Sequence, residues 1–166
     1  CIRDSILALY KLRRPFKWTS KTENFRRPFV GMVLSLTRSI RVNRESLRSG
    51  AKFIARAEEE MERGSSILLF PEGTRSKTTE MRPFKEGAFF LAKRSGSGII
   101  PIIHTGSEKT FNRGSWVLKG KAPIFIRVLD EIPAAEVEQT DVKSMMLKVR
   151  GLMEEELKKL EQEKIR

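Results

Sequence analysis

The chain has 166 residues, enough for one domain with a substantial core. Hydrophobic residues make up 39% and charged residues 33%, which excludes a disordered chain, and no run approaches the roughly 18 to 20 consecutive apolar residues that a membrane span requires. A formal net charge of +12 implies an anionic partner (a phosphorylated substrate, an anionic membrane surface or nucleic acid), while the single cysteine, Cys1, excludes an internal disulfide and a thiolate metal cluster.

Taken in order, Ser5 to Leu12 places Ile6, Leu7, Leu9 and Tyr10 at helical spacing, with Asp4 or Ser5 as cap. Phe16 to Thr19 alternates aromatic and polar residues as a half-buried strand, leaving Lys21 at its end. Pro28 to Thr37 is apolar on most faces and is expected to be a helix packed in the core or partly against lipid, with the core favoured because it is too short to span a bilayer. Ser39 to Asn43 is a short strand delivering Arg44. Glu45 to Arg63 is an amphipathic helix with Leu47, Ala51, Ile54 and Met61 inward and the acidic trio Glu58, Glu59 and Glu60 on a solvated face.

A Gly-Ser-Ser break at 64–66 precedes Ile67-Leu68-Leu69-Phe70, which reads as a buried strand. Pro71 and Gly73 then bend the chain, so that Phe70-Pro71-Glu72-Gly73-Thr74-Arg75-Ser76 packs an anion, a cation, hydroxyls and a glycine into one turn. Backbone N–H groups there would be able to face an anion, with Glu72 binding a hydroxyl or a neighbouring arginine; the alternative is an ordinary turn whose Glu72 and Arg75 pair with each other.

Lys85 to Arg94 is a further helix, with Phe89-Phe90 in the core, ending near Gly96. Ile99 to Ile103 is a strand interrupted by Pro101, hence an edge strand or one that bends. The only histidine, His104, follows it, and a lone histidine after a strand is read as structural; no metal site is expected. Gly106 to Gly120 reads as a loop or hairpin, Pro123 to Leu129 as a strand, and Asp141 to Arg166 as a long amphipathic helix whose apolar stripe closes the core. The alternation predicts an α/β domain with a mostly parallel or mixed sheet covered by helices, and with chemistry gathered at strand ends.

The Phe70–Ser76 turn resembles the Phe-Pro-Glu-Gly-Thr-Arg-Ser block of the glycerolipid acyltransferase family, the 1-acylglycerol-3-phosphate acyltransferases in particular. The likeness extends to Lys85-Glu86-Gly87-Ala88-Phe89, Ile100-Pro101-Ile102, Ile40-Arg41-Val42-Asn43-Arg44 and Pro28-Phe29-Val30-Gly31. It implies a single acyltransferase domain over 1–166, and acyl transfer from acyl-CoA or acyl carrier protein to the free hydroxyl of lysophosphatidic acid, giving phosphatidic acid. The alternatives are another lysolipid acceptor or a non-catalytic lipid-phosphate-binding relative.

The family's base is the histidine of a His-x-x-x-x-Asp block, in which the aspartate holds the tautomer. Here that aspartate corresponds to Asp4, which places the histidine two residues before Cys1, so the sequence is read as a domain truncated within this block. His104 has no aspartate five positions on and is not read as the base, and Cys1 falls on a variable position. By the same resemblance Arg44, Arg75 and Lys21 would clamp the acceptor phosphate. Glu72 would orient glycerol hydroxyls or those arginines, Gly73 would allow close backbone approach and Thr74 would add a hydrogen bond. Pro101 would shape the acyl-donor side. No metal or organic cofactor is implied. The expected partners are lysophosphatidic acid, the acyl donor and an anionic membrane surface at the cytoplasmic face. Without an RNP-like motif or zinc-finger spacing, no specific nucleic acid is expected.

Overall fold

The computed structural model describes residues 15–42, 47–73, 80–106 and 123–163, with the side chains at 47–49 excepted. The helix expected at 5–12, the loop or hairpin expected over 106–120 apart from Gly106, and Asp4, Arg44, Thr74 and Arg75 lie outside the described residues.

Strand β1 (Phe16–Lys21) puts Phe16 and Trp18 on one face, their ring centroids 5.0 Å apart. It is the centre of a three-stranded parallel sheet, between β2 (Ile40–Val42) and β3 (Ser66–Leu68). Thr19 pairs with Ile40 and Lys21 with Val42 on one side, and Phe16 with Ser66 and Trp18 with Leu68 on the other. β3 begins and ends earlier than the apolar run suggested; its side chains are at most half-buried, and Leu69 and Phe70 continue beyond it unpaired with β1. A second, antiparallel pair joins β4 (Ile102–Thr105) to β5 (Phe125–Val128). Pro101 sits just before β4, where its missing N–H costs no ladder bond and its carbonyl accepts the N–H of Leu129 at 2.9 Å.

Between β1 and β2 run a single turn, α1 (Thr22–Phe25), and α2 (Val30–Leu36). Phe29 has φ 61 and ψ −55, with the Val30 N–H donating to the Pro28 carbonyl at 2.7 Å, a γ-turn that swings the chain into α2. The expectation that this segment packs in the core is wrong. Only Gly31 and Leu34 are buried, whereas Phe29 (79%), Met32 (58%), Val33 (55%) and Leu36 (76%) are exposed. One narrow face suffices for packing because Gly31 lies against the α1 backbone: a Cβ there would stand 2.2 Å from the Phe25 carbonyl oxygen.

Helix α3 (Leu47–Glu62) crosses from β2 to β3 and buries Ile54 and Ala57. The acidic trio is not a uniformly solvated face. Glu60 is 1% exposed and bridges Arg56 (2.9 Å), Arg63 (3.0 Å) and Lys17 of β1 (3.7 Å), while Glu58 pairs with Arg94 at 2.6 Å. Three cations at once make burial of a carboxylate tolerable, and the Lys17 pair ties α3 to the sheet. Ala51, expected inward, is exposed.

Helix α4 (Gly87–Arg94) starts two residues later than expected and links two cores. Leu91 joins Ile40, Ile54 and Ala57, whereas Phe89 and Ala92 join Phe84, Ile132, Val137, Met145 and Val149. Phe90, assigned with Phe89 to the core, is 46% exposed, since consecutive helical residues cannot share a face. Helix α5 (Ala134–Gln139), introduced by Pro133, was not anticipated, although a proline before an Ala/Glu-rich run is a helix-start signal. It buries Val137.

Helix α6 (Val142–Glu163) carries the expected stripe through Met145, Val149 and Leu160. Asp141 caps it by accepting the N–H groups of Lys143 (3.1 Å) and Ser144 (3.0 Å). Arg127 of β5 reaches Glu156 (3.1 Å) and Glu163 (2.6 Å) of α6, fastening the antiparallel pair to the helix. The α/β architecture is as expected, with the sheet divided into a parallel three and an antiparallel two.

Candidate active site

The carboxyl ends of the three parallel strands open into one cleft, the usual ligand position in an open α/β sheet. Strand β1 brings Thr19, Ser20 and Lys21; β2 brings Val42; and the segment after β3 brings Leu69, Phe70, Pro71 and Gly73. Phe53 of α3 and the start of α4, with Lys85, Gly87 and Ala88, complete the lining. Among the described residues, Lys21 and Lys85 give the cleft two positive charges and no carboxylate lines it, so it favours an anion. Its volume is about 170 Å³, below the roughly 300–1,000 Å³ of pockets that enclose a whole drug-sized ligand. It is of a size for a small anionic group and not for a whole lipid.

The turn after β3 is fixed from both sides. Gly73 has φ 72, the left-handed region in which a side chain would be strained, and its N–H donates to the Phe70 carbonyl at 3.0 Å. That N–H closes the turn and so does not face an anion, while the N–H groups of residues 74–76 lie outside the described residues. The Pro71 carbonyl accepts the Lys85 N–H at 2.9 Å, and Glu72 Oε2 accepts the Arg82 N–H at 3.2 Å. The segment from 71 to 73 is therefore pinned to that from 82 to 85, which carries Lys85 to the cleft next to Gly73. Lys21 arrives by a different route, as the last residue of β1 in register with Val42.

Of the residues singled out from sequence, Lys21 and Gly73 meet at this cleft. Glu72 stands beside it, held by the Arg82 main chain, and Pro101 does not line it. Lys85 was read only as a helix residue, although it opens the Lys-Glu-Gly-Ala-Phe block whose position after the turn was already apparent. Ser20 accepts a hydrogen bond from the Asn24 side chain at 3.0 Å, and the Thr19 hydroxyl donates to the Leu68 carbonyl at 3.1 Å, so both hydroxyls hold the strand ends as well as lining the site. His104 pairs with Ile126 across β4 and β5, and its buried Nδ1 has no hydrogen-bond partner among the described residues. No group of three or more His, Cys, Asp or Glu among the described residues could hold a metal ion, and no described helix is long and apolar enough to cross a membrane.

The chain is similar to known proteins. The chain is 37% identical over 123 residues to a 1-acyl-sn-glycerol-3-phosphate acyltransferase of Chlamydomonas reinhardtii, covering 73% of this chain and 37% of that protein. It is 31% identical over 146 residues to the enzyme of the same name from Borreliella burgdorferi, covering 86% and 58% respectively. The crystal structure of the 1-acyl-sn-glycerophosphate acyltransferase PlsC from Thermotoga maritima superposes with a TM-score of 0.72 at 20% identity, over 88% of this chain and 57% of that one, and so shares the fold. The present chain thus spans only part of the length of these relatives. Residues 4–105 match the family model described as Acyltransferase; this stretch includes all three parallel strands and every residue lining the cleft, and the chain belongs to the acyltransferase family.

Proposed function

We propose that the cleft holds the phosphorylated head of a lysophosphatidic acid while its free hydroxyl is acylated from a thioester donor, acyl-CoA or acyl carrier protein, to give phosphatidic acid. The observation that carries this reading is the convergence of Lys21 and Lys85 with the Gly73 turn at the carboxyl ends of the parallel strands, in a cleft of headgroup size, within a chain of this family. The relatives named above bear the same activity in their names.

Chemically, the acceptor hydroxyl attacks the thioester carbonyl, a base takes its proton, and the donor leaves as a thiol once the tetrahedral intermediate collapses. The base we assign is a histidine two residues before Cys1, with Asp4 holding its tautomer. The Lys21 and Lys85 ammonium groups bind the acceptor phosphate, joined by Arg44 and Arg75 from the adjoining segments. Glu72 and Thr74 orient the glycerol, and Pro101 shapes the donor side. No resident metal or organic cofactor enters the scheme, since the thioester brings its own leaving group. The reaction takes place at an anionic membrane surface on the cytoplasmic face, where such acceptors reside.

The test is to extend the chain upstream by its native residues and incubate it with a long-chain acyl-CoA and lysophosphatidic acid, following phosphatidic acid by mass spectrometry. Product that disappears on Glu72→Ala or Arg75→Ala is expected. Absence of product across several donors and lysolipids, with folding intact, would favour a lipid-phosphate-binding protein.

A further inference from the structure

The four exposed apolar residues around α2 are not scattered. Phe29, Met32, Val33 and Leu36 fall at i, i+3, i+4 and i+7, one stripe on the face opposite the buried Gly31 and Leu34. Contiguous exposed apolar surface of this kind marks a binding face. Exposed Arg26 and Arg27 precede the stripe, and at its other end α2 closes on Arg38, in the left-handed region at φ 50, with the Ser39 N–H donating to the Leu34 carbonyl at 2.9 Å.

Beside this end lies a groove of about 470 Å³, distinct from the acceptor cleft and sharing only Phe53 with it. Its polar lining is made by Ser35, Arg38, Ser39, Arg41, Lys52 and Arg56 with Thr22, and among the described residues no carboxylate lines it. Arg56 is committed to Glu59 and Glu60, but Arg38, Arg41 and Lys52 have no carboxylate partner among the described residues. The Arg41 guanidinium lies over the Phe25 ring, 4.7 Å from its centroid, which holds that cation at the groove without neutralising it.

We infer that the α2 stripe and this groove together form a docking surface for an anionic lipid bilayer. The apolar stripe enters the interfacial layer, while Arg38, Arg41 and Lys52 engage headgroup phosphates outside the acceptor cleft. Apolar side chains bordered by unpaired cations are what an interfacial anchor on an anionic leaflet requires. A protein partner would instead need acidic groups matching the groove, and a second copy of this chain would bring like charge against like. The inference rests on the reading that the chain acts on a membrane lipid, and it identifies the face that meets the membrane.

Vesicle flotation tests it, using phosphatidylcholine alone or mixed with phosphatidylglycerol. The proteins compared are wild type, Met32→Glu/Leu36→Glu, Arg38→Glu/Lys52→Glu, and a control of equal charge change on the exposed residues Lys143→Glu/Lys158→Glu of α6. Circular dichroism confirms folding, as every substituted side chain is exposed or lies in the groove. Wild type should bind the anionic vesicles, and the stripe and groove variants should each lose about tenfold or more in partitioning, the control much less. Equal binding by all variants, no binding by wild type, or a shift from dimer to monomer as the only effect of the stripe variant would each overturn the inference. Acyl transfer to a short-chain, freely dissolved lysophosphatidic acid by the full-length chain separates the two readings. It should persist in both variants; its absence from wild type that binds vesicles would count against the acyltransferase reading and not against the docking face.

Discussion

Replacing Gly31 by alanine tests whether the close approach of α1 to α2 is what the Pro28-Phe29-Val30-Gly31 segment exists to make. A Cβ at this position would lie 2.2 Å from the Phe25 carbonyl oxygen and 2.8 Å from its carbon, both backbone atoms that cannot rotate away. One helix must therefore move, and overpacking of this kind costs about 1–3 kcal/mol. For a chain of this size each kcal/mol shifts the melting temperature by about 2–4 °C, so a fall of about 2–12 °C is expected. Gly151→Ala is the matched control: it lies within α6 with nothing inside 4 Å of the new Cβ, and alanine in a helix interior is favoured by about 1 kcal/mol, which predicts a rise of about 2–4 °C. Since α1 follows Lys21 directly, the α1 shift in Gly31→Ala should also raise KM for the acceptor. Thermal unfolding by circular dichroism reads both variants. A Gly31→Ala protein melting within a degree of wild type would refute the packing argument.

Three further outcomes follow from the structure. Glu60→Gln removes the buried charge shared by Lys17, Arg56 and Arg63; because Arg56 and Arg63 are 42% and 48% exposed and can turn to water, the loss should be about 1–3 kcal/mol in urea unfolding, below the full cost of stranding buried charges. An unchanged midpoint would show that the cluster contributes nothing net. The Asp141 carboxyl is held below the ordinary aspartate range by hydrogen bonds from the Ser144 hydroxyl and then from the backbone N–H groups of Ser144 and Lys143. A folded value below the unfolded one stabilises the protein above about pH 4, and the effect disappears as pH falls through the folded value. Asp141→Asn, which still caps but cannot titrate, should therefore show a shallower loss of stability on acidification; parallel curves would contradict this. Phe89→Ala, emptying a 3% exposed site stacked on Phe84 at 6.2 Å, should cost about 3–5 kcal/mol, whereas Phe90→Ala, on the exposed face, should cost little; equal effects would contradict the assigned burial.

Much of this architecture was legible in the residue order because periodicity reports which face is buried. The strand at Phe16, the stripe of α6 and the bend at Pro71 and Gly73 all follow from local rules. The errors arose where tertiary partners decide. Nothing in the composition of Pro28–Thr37 says that only a two-residue face finds a neighbour, since that depends on how closely Gly31 lets α1 approach. Nothing in Glu58-Glu59-Glu60 says that the third carboxylate points under Lys17 of β1, forty-three positions away in sequence. The short α1 and α5 lack the length that makes a period visible. At the site, residue types pointed to phosphate chemistry, and the family blocks located its parts. The position of Lys85 at the cleft became apparent only with the Pro71 carbonyl bond that carries it there.

The central claim is that the cleft at the strand ends grips the acceptor's phosphate. The most direct measurement is kcat/KM of the upstream-extended chain, with Lys21→Ala and Lys85→Ala, for lysophosphatidic acid and for the corresponding monoacylglycerol, which lacks the phosphate. Losing one charged hydrogen bond of about 1.5–3 kcal/mol predicts a fall of about ten- to hundredfold for lysophosphatidic acid in each variant, and almost none for the monoacylglycerol. Equal losses on the two acceptors, or none on either, would contradict the account.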